Sequence, residues 1–299
     1  MKKKLRGSIS LLLATIIWGS AFVSQAVGMD HIGPYTFQAI RCGMAVLILL
    51  PVIWLFDRKK ADGKTFLSRF CDKRLWLAGI CCAIPLCVAV NLQQVALVGT
   101  DAGKAGFLTA MYILFVPIFA LFIKRRPSPM IPVSVALGMV GLYFLSWRGS
   151  LSISTGDLML LGCAAAFAVQ ILFVDHFAPI VDPLRLNCLQ IGLSGIVSAV
   201  IMFCTETPTA SGIWSAMLPM CHAGFLSMGV AYTLQIVGQK DLEPSTASLI
   251  MSLESVFAAI FGYFILKEAM TDWELLGCLL VFLAVILSQI TIKTKTVRS

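Results

Sequence analysis

Residues 75–98 read LWLAGICCAIPLCVAVNLQQVALV, an apolar run without a single charged side chain. The hydrocarbon core of a bilayer is about 30 Å thick, and an α-helix needs roughly 20 residues to cross it. This run is long enough for one crossing, and Lys73 and Arg74 stand at its polar end. We therefore predict a membrane-spanning helix from Leu75 to Val98.

The same pattern recurs on both sides of this helix, with polar residues, Gly or Pro between successive apolar runs. It predicts ten spans: Ser8 to Gly28, Pro34 to Phe56, Leu75 to Val98, Lys104 to Ile123, Pro129 to Trp147, Thr155 to Phe177, Pro183 to Thr205, Ile213 to Gln239, Pro244 to Leu266 and Thr271 to Ile292. Each span must satisfy its own backbone hydrogen bonds in hydrocarbon, and the alternation typical of a membrane β-barrel is absent. The predicted fold is an all-α membrane protein with ten transmembrane helices.

The composition excludes most soluble classes of protein. Of 299 residues, 59% are hydrophobic and 13% are charged, against about 45–50% and 25% in ordinary soluble domains. The net charge of +8 comes from short clusters between apolar runs, which predicts contact with membrane lipid and no nucleic-acid partner. The ten Cys residues show no CxxC and no Cys/His spacing of a metal site, so no cofactor and no metal are expected.

The positions of Lys and Arg predict the orientation in the membrane. With a cytoplasmic N-terminus, nineteen of the 23 Lys and Arg residues fall on the cytoplasmic side, seven of them in the polar loop 57–74. The basic N-terminus before an apolar run resembles a signal peptide, but no small-residue cleavage site follows it. Both termini are therefore predicted to be cytoplasmic.

The sequence also contains a weak internal repeat. Corresponding polar residues lie 145, 149 and 141 positions apart in the two halves: Gln25 and Gln170, Arg41 and Gln190, Gln94 and Gln235. Five spans in each half would insert the second half upside down, so we predict an inverted 5+5 repeat with halves 1–148 and 149–299. Such repeats are typical of secondary transporters, although duplicated apolar helices can also look alike by composition alone.

The spans and their ends contain four short motifs: Trp18-Gly19-Ser20-Ala21-Phe22, Arg41, Leu253-Glu254-Ser255-Val256-Phe257 and Leu266-Lys267-Glu268. Together they resemble the motifs of the EamA branch of the drug/metabolite transporter superfamily. The resemblance implies a ten-helix inverted fold, a central cavity lined by spans one, three, four, six, eight and nine, and export of small metabolites such as amino acids across the cell (inner or plasma) membrane.

The chain departs from the family pattern at two places. Ser255 stands where the family often has Pro, which puts the expected distortion of span nine in doubt. Lys124-Arg125-Arg126 ends span four where the family often has Glu, so a role for Glu268 would have no counterpart in the first half.

Two ionisable residues lie at membrane depth, where polar groups are costly and usually functional. Glu254 lies near the centre of span nine and is a candidate for carrying a proton during transport; equally, it could only pin span nine to a neighbour. Arg41 is favoured as an interfacial or interhelical anchor over a direct contact with a substrate carboxylate.

The other polar and aromatic residues of the spans predict a substrate cavity. Asn91 with Gln94, and Tyr232 with Gln235, are three residues apart and share one helix face each. The predicted substrate-binding set is Trp18, Phe22, Gln25, Asn91, Gln94, Phe107, Tyr112, Phe167, Gln170, Tyr232, Gln235 and Glu254. For each Gln or Asn taken alone a hydrogen bond between helices is the favoured explanation, whereas the set as a whole favours a cavity.

The sequence favours a secondary transporter of small polar or amphipathic metabolites, with amino acids as the leading class. An enzyme is disfavoured because neither HExxH nor GxSxG occurs, and the chain has no Walker A motif for ATP. A flippase or transporter of a lipid-linked precursor is the alternative, with the basic loop 57–74 as a headgroup site.

We expect a small-molecule substrate and a monomer or weak homodimer. Exchange, proton coupling and facilitated diffusion stay open as the mode of transport.

Overall fold

The structure, a computed structural model, describes residues 2–59, 65–100, 102–124, 128–145, 154–266 and 271–289. These residues form helices and no strands. The helices are α1 (Lys2–Met29), α2 (Pro34–Arg58), α3 (Phe66–Phe70), α4 (Lys73–Ala96), α5 (Ala102–Ala110), α6 (Tyr112–Phe122), α7 (Met130–Leu145), α8 (Thr155–Phe177), α9 (Pro183–Thr205), α10 (Ala210–Ser215), α11 (Met217–Cys221), α12 (Tyr232–Gln239), α13 (Pro244–Met251), α14 (Leu253–Phe261) and α15 (Asp272–Ser288). Two π-helical segments, His222–Ala231 and Gly262–Leu266, complete the described part.

The all-helical membrane fold is confirmed. Eight helical stretches in the described residues are long and apolar enough to cross a bilayer, and each lies within a few residues of a predicted span. The fifth and tenth predicted spans correspond to the shorter helices α7 and α15. Ten spans and cytoplasmic termini remain predictions. The span ends at Trp147 and Ile292, and the residues Arg125, Arg126, Lys267 and Glu268, lie outside the described ranges.

The main helix contacts join the first half of the chain to the second. α2 packs on α9, α4 on α8, α7 on α15, and α1 on α14 and α12. The largest apolar cluster of buried side chains lies among these helices and includes residues of both halves, such as Leu11, Ile113, Ile191 and Leu249. Each half therefore buries apolar surface against the other.

Contacts at both ends show that α2 and α9 run antiparallel. Near the end of α2, the Asp57 carboxylate pairs with the Arg185 guanidinium in the first turn of α9. Just past the end of α9, the Glu206 carboxylate accepts hydrogen bonds from the Thr36 backbone N–H (2.8 Å) and hydroxyl (2.6 Å) in the first turn of α2. Asp57 and Glu206 are 149 positions apart, and so are Thr36 and Arg185. The contacts at the two ends of this helix pair are thus related by the same offset of 149 positions as the sequence repeat.

Glycine lets α7 and α15 approach closely. A Cβ atom on Gly277 would lie 2.5 Å from the backbone nitrogen of Leu145 and 2.6 Å from the backbone oxygen of Gly141. One on Gly141 would lie 2.8 Å from the backbone nitrogen of Val281. Small residues at such crossings are typical of membrane helix pairs.

Spans four and nine are each interrupted near the middle by one turn residue. Met111 separates α5 from α6, and Ser252 separates α13 from α14, again 141 positions later. At the second break the Ser255 backbone N–H bonds the Ser252 carbonyl at 3.1 Å, a tighter turn than in an α-helix. The distortion that was in doubt because Ser255 replaces Pro is therefore present.

Candidate functional site

A cavity with about 500 Å³ of empty volume lies between the two halves. Its wall takes residues from α1, α2, α4, α6, α8, the first π-helical segment, α12, α13 and α14. The wall consists of Trp18, Phe22, Gln25, Arg41, Gln93, Tyr112, Phe167, Ile171, Ser227, Met228, Tyr232, Gln235, Met251 and Glu254.

Eight residues of the predicted site come together in this wall: Trp18, Phe22, Gln25, Tyr112, Phe167, Tyr232, Gln235 and Glu254. Their aromatic rings pack in pairs across the halves. Trp18 meets Tyr232 edge to face at 5.1 Å between ring centroids, and Tyr112 meets Phe167 at 6.5 Å. The cavity therefore has an aromatic lining with polar groups set into it.

The two interrupted helices bring Glu254 and Tyr112 together. Tyr112 is the first residue of α6 and Glu254 the second residue of α14, so each lies within two residues of a break. The Tyr112 hydroxyl donates a hydrogen bond to Glu254 Oε1 at 3.0 Å, and the Glu254 residue is only 7% exposed. A buried carboxyl group is thus held at the point where both broken helices face the cavity.

Arg41 is the second ionisable residue of the wall and is only 2% exposed. Its Nε donates to Gln38 Oε1 at 2.6 Å and its Nη1 to Gln25 Oε1 at 2.5 Å. The guanidinium also lies 5.6 Å from the centre of the Phe37 ring. Arg41 is therefore anchored to a neighbouring helix, as the sequence favoured, and also reaches the cavity.

Four predicted site residues are buried or half-buried but lie outside this wall. Asn91 accepts a hydrogen bond from the Ser198 hydroxyl at 3.0 Å. Gln94 donates to Met29 Sδ at 3.1 Å. Gln170 donates to Gln190 Oε1 at 3.2 Å, and Phe107 packs against the largest apolar cluster. Asn91, Gln94 and Gln170 therefore agree with the alternative given above, a hydrogen bond between helices.

The wall also contains residues that the sequence did not single out. Gln93 lies there in place of Gln94 and donates to Thr109 Oγ1 at 3.2 Å. Ser227 and Met228 belong to the π-helical segment, where the wider turn changes which residues share a face. Helical spacing alone could not have selected them. Arg41 was singled out from the sequence as a charged residue at membrane depth, but it was favoured as an anchor and so was not placed in the predicted substrate-binding set.

Two polar atoms of the wall are available to a ligand. Trp18 Nε1 and Gln235 Oε1 are buried, and neither has a hydrogen-bond partner within the described ranges. One is a donor and the other an acceptor. A buried polar atom without a partner costs about 1–3 kcal/mol, so a polar solute that bonds either atom would recover this cost on binding.

Comparison with known proteins identifies the family. A family model described as the EamA-like transporter family matches residues 5–147 and again residues 154–290. A protein named only as an uncharacterized transporter of Archaeoglobus fulgidus is 30% identical over 292 residues, covering 97% of this chain and 88% of that protein.

Two further likenesses are more distant. The threonine/homoserine exporter RhtA of Salmonella typhimurium is 28% identical over 180 residues, which cover 58% of this chain and 59% of the exporter. A solved crystal structure matches the fold with a TM-score of 0.78 at 15% sequence identity, covering 94% of this chain and 96% of the other. This second likeness concerns the fold alone.

Proposed function

Because the chain belongs to the EamA-like transporter family, and is thus a multi-pass membrane protein, we propose that it exports small polar or amphipathic metabolites, amino acids above all. The cavity carries this proposal, since its wall is shared by both halves of the chain. In transporters built from repeats, the substrate site lies between the repeats and opens to either side as they rock.

The chemistry of the wall supports an amino acid as substrate. Trp18, Phe22 and Phe167 supply apolar surface, while Gln25, Gln93 and Gln235 supply amide groups. Such a wall suits a solute with one apolar and one polar end. Related proteins named as threonine/homoserine exporters support the same class.

The interrupted helices give a physical basis for alternating access. Substrate sites of secondary transporters are commonly built where membrane helices are discontinuous. Here both breaks lie beside the cavity, at Met111 and Ser252, and the Tyr112–Glu254 hydrogen bond connects the halves next to them. We infer that rocking of one half against the other changes the side from which the cavity is reached.

Counterflow in proteoliposomes tests the proposed function. Purified protein is reconstituted, the vesicles are preloaded with one member of a panel of amino acids, amines and nucleosides, and uptake of the same labelled compound is measured. Uptake above that of protein-free vesicles for amino acids is expected. Folded protein that is silent for the whole panel but moves a fluorescent lipid-linked sugar would contradict the proposal and favour the lipid-linked precursor.

Truncation of Gln235 is expected to weaken binding of the transported amino acid roughly tenfold, because a hydrogen bond from a buried neutral group is worth about 1 kcal/mol or somewhat more. Gln235→Ala also removes its hydrogen bond to Gln170, which is 3.0 Å long. Gln94→Ala is the matched control, since Gln94 is equally buried but lies outside the wall. The dissociation constant of the amino acid is measured by equilibrium binding for both variants. An equal loss of affinity in Gln235→Ala and Gln94→Ala would contradict the assignment of Gln235 to the substrate site.

A further inference from the structure

The two halves contain the same three-residue hydrogen-bond network, with one difference. In the first half, Arg41 donates to Gln38 three residues earlier and to Gln25 on the preceding helix. In the second half, Gln190 donates to Asn187 three residues earlier at 3.1 Å and accepts from Gln170 on the preceding helix at 3.2 Å.

These networks occupy equivalent positions. Arg41 and Gln190 lie 149 positions apart, as do Gln38 and Asn187. Arg41 lies seven residues after the Pro that begins α2, and Gln190 seven residues after the Pro that begins α9. One half thus carries a guanidinium where the other carries a neutral amide.

The neutral network shows that this fold needs no charge for anchoring. Gln190 is completely buried and connects its own helix to the preceding one through amide groups alone. A buried cation is far more costly than a buried amide unless an anion accompanies it. The charge of Arg41 therefore calls for an explanation beyond helix packing.

No ion pair accounts for this charge within the described residues. Arg41 forms no salt bridge there, and Glu254, the acidic residue of the same wall, bonds Tyr112 instead. The contacts with Gln38 and Gln25 engage Nε and one N–H of Nη1. In the described part of the chain the second N–H of Nη1 and both N–H groups of Nη2 have no protein partner, and a guanidinium can bind a carboxylate through two such hydrogen bonds.

We propose that Arg41 binds the carboxylate group of the transported substrate. This inference rests on the proposed function and narrows it: the substrate is a carboxylate-bearing metabolite, and the neutral amino alcohols and amines of similar shape are excluded. Gln25 and Gln38 orient the guanidinium towards the cavity. The apolar part of the substrate then lies along Trp18 and Phe22 in the same wall.

The test compares amino acids with the amino alcohols that lack only the carboxylate: threonine with threoninol, leucine with leucinol, and phenylalanine with phenylalaninol. Each is used as a competitor of the labelled compound that gives counterflow. The wild-type protein should prefer the acid by roughly 10–100-fold, the range for hydrogen bonds to a charged group. In Arg41→Gln, which copies the second half of the chain, the preference should fall to about one, whereas Arg41→Lys should keep part of it.

Gln190→Ala is the matched control, because it breaks the equivalent network at a residue outside the wall. The wall residue linked to it through Gln170 is the neutral Gln235, so the preference for the acid should be unchanged. Folded Arg41→Gln protein that still prefers the acid would overturn the assignment. Wild-type protein that transports the amino acid and the amino alcohol equally well would also overturn the assignment of Arg41. That result would leave the proposed function as a transporter unaffected. Wild-type protein without counterflow of any compound would instead overturn the proposed function itself.

Discussion

Replacing Glu254 by Gln is expected to abolish accumulation driven by a proton gradient while exchange of substrate continues. Gln has nearly the same shape as Glu, and its Oε1 can still accept the hydrogen bond that Tyr112 donates at 3.0 Å. The Gln side chain cannot bind and release a proton. A buried carboxyl group in a cavity wall is a natural proton carrier, because its protonation can change together with the occupancy of the site.

The size of this effect follows from the gradient. One pH unit is worth about 1.4 kcal/mol per proton, enough for roughly tenfold accumulation by a one-proton carrier. In proteoliposomes with such a gradient, Glu254→Gln should give an accumulation ratio of about one while its counterflow matches that of the wild type. Tyr112→Phe is the control that removes the hydrogen bond and keeps the carboxyl group. A Glu254→Gln protein with full gradient-driven accumulation would show that Glu254 only holds span nine in place.

The Gly277→Ala substitution is expected to destabilise the protein by about 1–3 kcal/mol, the usual cost of an overfilled contact. The added Cβ would lie 2.5 Å from the Leu145 backbone nitrogen and 2.6 Å from the Gly141 carbonyl oxygen. Both neighbours are backbone atoms, so no side chain can turn away to make room. The helices α7 and α15 would have to move apart at this crossing.

Gly43→Ala is the matched control for this prediction. Gly43 also lies inside a helix, but a Cβ atom there would meet nothing within 4 Å. Ala is the better helix former by about 1 kcal/mol, so this variant should be as stable as the wild type or slightly more stable. Thermal unfolding of both variants in the same detergent gives the comparison. Equal melting temperatures would contradict the close approach of α7 and α15.

Much of the fold was predictable because the membrane imposes strong rules on sequence. A span such as Leu75 to Val98 is recognisable from its length and lack of charge, and α4 begins and ends within about two residues of it. The shared offset of 149 positions between Pro34 and Pro183 marked the repeat that the α2–α9 contacts reproduce. The interruption at Ser252 was harder to predict, since no Pro marks it.

The sequence predicted which helices line the candidate site better than it predicted which of their side chains face the cavity. Helical spacing groups Asn91 with Gln94, but it does not say which neighbour their common face meets. In the structure that face contacts α9 and α1, and Gln93 faces the cavity instead. For Arg41, two interpretations followed from the sequence: an anchor between helices and a contact with a substrate carboxylate. Its hydrogen bonds to Gln25 and Gln38 leave N–H groups free, so anchoring and cavity lining coexist.

Access to the cavity from both sides of the membrane is the most direct test of the account. Ser227 lines the cavity and is 4% exposed, while Ser134 of α7 is fully buried away from it. The variants Ser227→Cys and Ser134→Cys are treated with a membrane-impermeant thiol reagent from either side of sealed vesicles, and modification at each position is read by mass spectrometry. We expect Ser227→Cys to be modified from both sides, less so with substrate present, and Ser134→Cys to be protected. A Ser227→Cys residue as protected as Ser134→Cys would contradict alternating access around this cavity.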